Sequence, residues 1–205
     1  MFRHKRIIVM RPDPENILQN TITYLCFKVR PLSQTKLMKL IYLANVYHME
    51  QYGSTLAKTS FKHWHYGPYS GQVDSEIEKL YGEGILKSKT CKTQSGYDAE
   101  VPVPNIKSTT VELTDEAKAV LDEIIEDWGN ASTNDIVSFA KTSLPFLGTP
   151  FGKKIDFSRV DLVAEVAKSK NISREAAATM LVENNKELMK SLDKIEERVK
   201  AQSLP

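Results

Sequence analysis

Three histidines and one glutamate are the first candidates for chemistry in this chain. His63 and His65 are two residues apart, so on a strand their side chains would share a face, as two metal ligands could. His48 and Glu50 belong to a different predicted element, and no carboxylate stands at a recognised ligand spacing. We therefore interpret the histidines as surface or core-edge residues and predict no metal ion and no cofactor.

The two cysteines are the next candidates. Cys26 lies on the apolar stripe of a predicted helix, where a thiol normally serves as a small hydrophobic group. Cys91 stands in a basic stretch, a setting that lowers a thiol pKa, but no general base is paired with it. Phosphate-binding, serine-nucleophile and metalloprotease motifs are missing from the sequence. We predict that the chain is not an enzyme, and two cysteines without a disulfide framework indicate a cytoplasmic protein.

A dense aromatic segment surrounds Gly67 and Pro68. Trp64, Tyr66 and Tyr69 are large side chains in a predicted turn or ordered loop. We interpret them as a partner-binding surface, since aromatic residues dominate interface hot spots. The alternative is that they fill the space between the second and third helices. We expect Trp64 to be mainly buried and Tyr69 to be more exposed.

The composition is that of a globular protein. The chain has 205 residues with 28 Lys and Arg against 26 Asp and Glu, so its formal charge is only +2. This excludes a generally polycationic protein, but not a local basic patch. No apolar run reaches the roughly 18 residues of a membrane span, so we expect no membrane partner. Residues 1–12 read as a basic arm.

Helices are the main elements expected to position these residues. Apolar side chains at helical spacing, with caps before them, predict helices that begin at residues 13, 33, 73, 114 and 132. The second helix is apolar on so much of its surface that we expect it at the centre of the core. Ser33 and Gly53 are its expected caps.

A short β segment follows the third helix. Residues 85–89 and 97–103 flank a turn, and 109–113 offers a third piece, so a hairpin or a small three-stranded sheet is predicted. The order of helices and hairpin is winged-helix-like. Lys87, Lys89, Lys92 and Lys107 would then lie on the wing, and a DNA-binding transcriptional regulator is the alternative function. We favour a solvated hairpin, because Asp98 and Glu100 dilute the basic patch.

The C-terminal part, 161–205, is predicted to be a helical extension with Ser173 as the cap of a long helix. Its apolar residues recur close to the spacing of a coiled-coil seam: Leu181, Leu188, Leu192, Ile195 and Val199. Such a seam can pack on its own domain, form a homo-oligomer or accept a partner helix. We predict that Leu188, Leu192 and Ile195 contribute to partner binding.

Several segments together resemble a known family. Residues 36–49 read KLMKLIYLANVYHM, 61–70 read FKHWHYGPYS, and 80–86 read LYGEGIL, followed by LTDEAKAVLDEII from 113 and SLPFLGTPFGKKID over 143–156. Their order and spacing resemble the Panacea domain of SocA-like antitoxins, phage-associated proteins among them, over about 13–160. The resemblance implies a mostly helical protein without enzymatic activity, which neutralises a cognate toxin protein by direct binding. We therefore predict a mainly α fold with a small β part and three regions, 1–12, 13–160 and 161–205.

Overall fold

A computed structural model describes residues 16–92, 98–105 and 111–161, and further along residues 166, 169–173, 176, 177, 179–181, 183 and 184. The chain divides into two compact units, Met1–Val160 and Asp161–Pro205. The predicted arm at 1–12 and the predicted helix start at Asp13 lie outside the described residues.

The first unit is mainly helical with a small β part, as predicted. Its helices are α1 Ile17–Lys28, α2 Gln34–Tyr52, α3 Gly71–Gly82, α4 Asp115–Trp128, α5 Thr133–Thr142 and α6 Leu144–Leu147. Its strands are β1 Lys62–Trp64, β2 Gly67–Tyr69, β3 Leu86–Lys92 and β4 Asp98–Pro104. They form two antiparallel pairs, β1 with β2 and β3 with β4. In the part of the chain that the structure describes, no helix is both long and apolar enough to cross a membrane.

The predicted helix caps are confirmed where local sequence sets them. Ser33 and Thr114 each accept a hydrogen bond from the backbone N–H three residues on, at 3.1 and 3.2 Å. Ser132 and Asp135 form the predicted variant of a capping box: Ser132 Oγ accepts from the Asp135 N–H at 3.2 Å, and its hydroxyl donates to the Asp135 carboxylate at 2.7 Å. Gly53 ends α2 in the left-handed conformation, at φ 71°. The boundaries of these helices therefore follow from a few residues.

Helix α2 lies at the centre of the core. It packs against α1, α4, α5 and β2, and most of its residues are buried. Its fully buried apolar side chains are Leu37, Leu40, Ile41, Leu43 and Ala44. These four elements pack around this helix, so its side chains reach many parts of the domain.

The β structure differs from the prediction in two places. The aromatic segment is not merely a turn or loop, because 62–64 and 67–69 pair as a short hairpin. The third strand proposed for 109–113 is wrong for 111–113, which are described and are not in a strand, while 109 and 110 lie outside the described residues. The reason lies in tertiary contacts: the Asn20 side chain donates to the Glu112 carbonyl at 3.1 Å, so this segment is bonded to α1.

In the second unit, Ser173 caps a helical turn as predicted. Its hydroxyl accepts a hydrogen bond from the Ala176 N–H at 3.2 Å. The predicted seam residues Leu188, Leu192, Ile195 and Val199 lie outside the described residues.

Candidate functional site

A stripe of buried polar residues runs along α2 at every third position. A step of three residues falls about 60° short of a full helical turn, so successive side chains wind around the helix. The stripe therefore meets several different parts of the domain. The stripe consists of Lys36, Lys39, Tyr42, Asn45 and His48, of which none is more than 8% exposed.

Lys36 binds the end of α4. Its Nζ donates to the carbonyls of Gly129 and Ala131, both at 2.7 Å. The carbonyl end of a helix carries partial negative charge, so a cation there is favourable. Burial lowers the pKa of Lys36. This lysine thus ties α2 to the turn between α4 and α5.

Lys39 lies beneath the β1–β2 hairpin. Its Nζ donates to the Pro68 carbonyl at 2.6 Å. Burial, and after it the charge of Lys141, lowers the pKa of Lys39 to about 8. Gly67 has φ +85°, and a Cβ there would touch Lys141 at 3.5 Å and Lys39 at 3.6 Å. Glycine therefore suits this turn, and the hairpin rests on two lysine side chains.

Tyr42 is fully buried and lies near the junction of α5 and α6. Its ring packs edge-on against Phe61 and beside Phe157, each at 5.4 Å between centroids. Its hydroxyl lies 2.7 Å from Ser143 Oγ, which donates its own hydrogen to Ala140 O at 2.8 Å. The Tyr42 O–H is therefore the donor to Ser143. Burial raises the pKa of Tyr42 to about 12.

Asn45 and His48 hold the segment after α2. The Asn45 Oδ1 accepts from the Ala57 N–H at 2.8 Å. His48 Nδ1 lies 2.7 Å from the Ser54 carbonyl. All five residues of the stripe therefore have partners within the fold, and their role in this geometry is to anchor loops.

The hairpin that Lys39 supports presents an exposed aromatic surface. Tyr66, in its turn, is 78% exposed and Trp64 is 45% exposed. The expectation that Trp64 is mainly buried is wrong, and Trp64 is more exposed than Tyr69, at 39%. The physical reason is that Trp64 stacks on Phe151, itself 51% exposed, with 5.3 Å between ring centroids and 15° between planes. The two rings cover each other outside the core.

His65 completes what we call the hairpin patch, consisting of Trp64, His65, Tyr66 and Phe151. The His65 ring lies 4.5 Å from that of Phe151. Sequence reasoning assigned no role to Phe151. Its only signal was its place in the segment 143–156 that carries part of the family resemblance.

His63 joins the patch to the domain, since its ring also lies 5.8 Å from that of Phe151, edge to face. Its ring lies 3.9 Å from that of Phe146, and its Nδ1 lies 2.7 Å from the Thr149 carbonyl. Its backbone N–H donates to Lys153 O at 3.0 Å, and its carbonyl accepts from Gly152 N at 2.9 Å. The loop that carries Phe151 is thereby held beside β1.

Tyr69 lies apart from the hairpin patch. It lines a groove together with residues of α1 and α3, among them Ile17 and Gln72. A hydrogen bond to Asp74 raises the pKa of Tyr69. The structure thus places Trp64 against Phe151, Tyr66 in the adjoining turn, and Tyr69 beside another surface.

The histidines and cysteines do not converge. His48 and His63 each bind a backbone carbonyl. Among the described residues, no three His, Cys, Asp or Glu side chains come close enough to hold a metal ion. Cys26 is buried, which raises its pKa to about 12, and Cys91 is partly buried.

The β3–β4 hairpin, which would be the wing of a winged-helix protein, carries lysines, whereas the helix before it is acidic. Lys87 and Lys89 on β3 are exposed, Lys92 pairs with Asp98 at 3.0 Å, and Lys107 lies outside the described residues. Helix α3, which would be the recognition helix of a winged-helix protein, carries three acids and a single lysine: Asp74, Glu76, Glu78 and Lys79. Such a helix would repel the phosphates of DNA.

A helical domain thus holds an exposed aromatic patch on a short hairpin. The family model of the SocA-like antitoxin, Panacea domain, matches residues 37–143. The chain therefore belongs to the Panacea domain family of SocA-like antitoxins, as its motifs indicated. No curated protein and no solved structure matches the chain.

Proposed function

We propose that this chain is an antitoxin that neutralises a cognate toxin protein by direct binding. Membership of the Panacea family, over residues 37–143, is the observation that carries the proposal. The mechanism is stoichiometric masking of a toxin surface in the cytoplasm, without turnover. The sequence expectation that the chain is not an enzyme is part of this proposal.

The hairpin patch is the proposed contact surface. Its aromatic rings are exposed, and contacts from His63 and Lys39 fix the backbone beneath them. A rigid aromatic surface loses little conformational entropy when a partner covers it. Burial of Trp64, Tyr66 and Phe151 would therefore yield net binding energy.

The test is co-expression with the gene adjacent to that of this chain. We expect the neighbouring product to stop growth alone, and to be harmless and co-purified in the presence of this chain. Replacing Tyr66 and Phe151 by Ser removes most of the exposed aromatic area and should abolish both effects. Tyr52→Ser is the matched control, because Tyr52 is 42% exposed at the end of α2, outside the patch.

A neighbour that is harmless alone and never co-purifies would refute the antitoxin proposal. A folded double variant that neutralises like the parent would place the contact elsewhere. The seam of the C-terminal extension, with Leu188, Leu192 and Ile195, is the other surface predicted from the sequence. Truncation before Glu175 tests it in the same assay, and the oligomeric state of the truncated chain tests self-association.

Regulation of transcription is the second candidate function. The exposed Lys87 and Lys89 of the β3–β4 hairpin favour it, whereas the acidic helix α3 opposes it. Retardation of the chain's own upstream DNA at physiological salt, lost on replacing both lysines by Glu, would support this function over masking.

A further inference from the structure

A second surface is formed by the β3–β4 hairpin, the connection between α1 and α2, and the α4–α5 turn. Two adjoining depressions, of about 470 and 620 Å³, share Arg30, Pro31, Cys91 and Val101 in their linings. One continues to the α4–α5 turn and the other to the face of β3 and β4. We call the combined depression the basic groove.

The charged side chains that line the basic groove all have the same sign. They are Arg30, Lys36, Lys87, Lys89 and Lys92. Lys36 is committed to backbone carbonyls and Lys92 to Asp98. Within the described part of the chain, no ion pair reaches Arg30, Lys87 or Lys89. These three cations are exposed, so their charges are available to a ligand.

The floor of the groove is aliphatic. Val29, Leu32 and Val101 contribute atoms to the lining but are at most 3% exposed as residues. The apolar side chains that a ligand can reach are the exposed Pro31 and the half-buried Val103 and Pro104. In the strand register Lys89 lies opposite Val101, so both belong to the same face of the sheet. The groove thus combines cationic walls with an apolar floor.

We propose that the basic groove binds an acidic segment of a protein, in which carboxylates alternate with aliphatic side chains. The carboxylates would meet Arg30, Lys87 and Lys89, and the aliphatic groups would cover Pro31 and Val103. Period-two alternation suits an extended segment, since its side chains point to opposite sides. The inference rests on the proposed function in one respect: it assigns this segment to the toxin.

Charge alone would also fit single-stranded nucleic acid, but the lining does not. Single-stranded nucleic acid is held by aromatic side chains on which its bases stack. The described residues that line the groove include no Phe, Tyr or Trp. Aliphatic and proline side chains in those positions favour a peptide.

The probe is a fluorescein-labelled peptide of alternating Glu and Leu, with an alternating Lys and Leu peptide as its charge control. Fluorescence anisotropy with the full chain should show binding of the acidic peptide alone, weakening as salt rises. Replacing Arg30 and Lys89 by Glu should weaken binding by about tenfold or more. Replacing Lys79 and Lys118 by Glu, on exposed faces of α3 and α4, is the matched control and should leave it unchanged.

Cys91 reports the location, because it lines both depressions. Bound acidic peptide should slow its reaction with a thiol reagent. The inference is overturned if the peptide does not bind at low salt, or if the folded double variant Arg30→Glu, Lys89→Glu binds it as the parent does. It is also overturned if the bound peptide does not protect Cys91, or if a single-stranded oligonucleotide displaces the peptide.

The two proposals fail differently. If the variant that loses peptide binding still neutralises normally, the groove is not the toxin contact, and the antitoxin function is left in place. Peptide binding by a chain that neutralises nothing refutes the function, and with it the assignment of the segment to a toxin, while the acidic-peptide site stands.

Discussion

Replacing Lys39 by Met removes a buried cation while keeping most of the volume of the side chain. In the folded chain the Lys39 residue is only 3% exposed, and its Nζ donates to the Pro68 carbonyl at 2.6 Å. The variant therefore loses a charge that burial disfavours and a hydrogen bond that supports the hairpin. The balance between these two effects sets the result.

The two contributions are similar at neutral pH. Burial and the charge of Lys141 lower the pKa of Lys39 from 10.5 to about 8, which corresponds to a cost of about 3 kcal/mol in the free energy of unfolding. The lost bond leaves a buried carbonyl without a donor, at about 1–3 kcal/mol. We therefore expect the free energies of unfolding of the variant and the parent to differ by no more than about 1 kcal/mol at pH 7.

The pH dependence separates the two contributions. The folded pKa lies below the unfolded value, so between about pH 8 and 10.5 the unfolded chain binds more protons. The cost of the buried cation is fully present below pH 8 and declines as pH rises through this window. From pH 7 to pH 9 the parent should gain about 1 kcal/mol over Lys39→Met. Cys26 and the tyrosines are present in both proteins, so their titration cancels in the difference.

Urea unfolding at pH 7 and pH 9, followed by circular dichroism, gives the two free energies of unfolding for each protein. Lys118→Met, on the exposed face of α4, is the control and should follow the parent at both pH values. A difference between parent and Lys39→Met that does not change with pH would refute the reasoning, since Lys39 would then carry no titratable burial cost in this range.

Three further predictions concern the buried Tyr42, the helix cap Gly53 and the two cysteines. Tyr42→Phe removes the hydrogen bond to Ser143 and should lower the free energy of unfolding by about 1 kcal/mol, and Ser143→Ala in the same background should add less than it does alone. Gly53→Ala places a Cβ at φ 71° and should cost about 1 kcal/mol in the same measurement; no change would mean that α2 ends differently. In the native protein a thiol reagent should label Cys91 well before Cys26, because burial raises the pKa of Cys26 to about 12; equal rates under native conditions would contradict this.

Sequence reasoning located the helices well because helix ends depend on nearby residues. Ser33, Gly53 and Ser132 act on backbone groups within four residues, so their roles are visible in the sequence. The central position of α2 followed from its continuous apolar surface. The family followed from the order of short motifs, and the residues matched by the family model lie within the predicted range.

The β1–β2 hairpin and the exposure of Trp64 were missed because long-range contacts determine them. The strands are only three residues long, too short for an alternating pattern to identify them in the sequence. Their position depends on Lys39, 29 residues from Pro68, and on the loop of 149–155 that returns to β1. Phe151 covers one face of Trp64. The two residues are 87 positions apart in the sequence, so no local pattern could predict this contact.

The anchors on α2 have a consequence for hydrogen exchange. Because one helix holds the hairpin, the end of α4, the α5–α6 junction and the segment after Gly53, displacement of α2 releases all of them together. Opening of the domain should therefore be cooperative, and backbone amides of the hairpin should exchange at rates close to those of the core helices rather than as a fraying loop. The hairpin patch would then be either fully formed or absent, with no intermediate population.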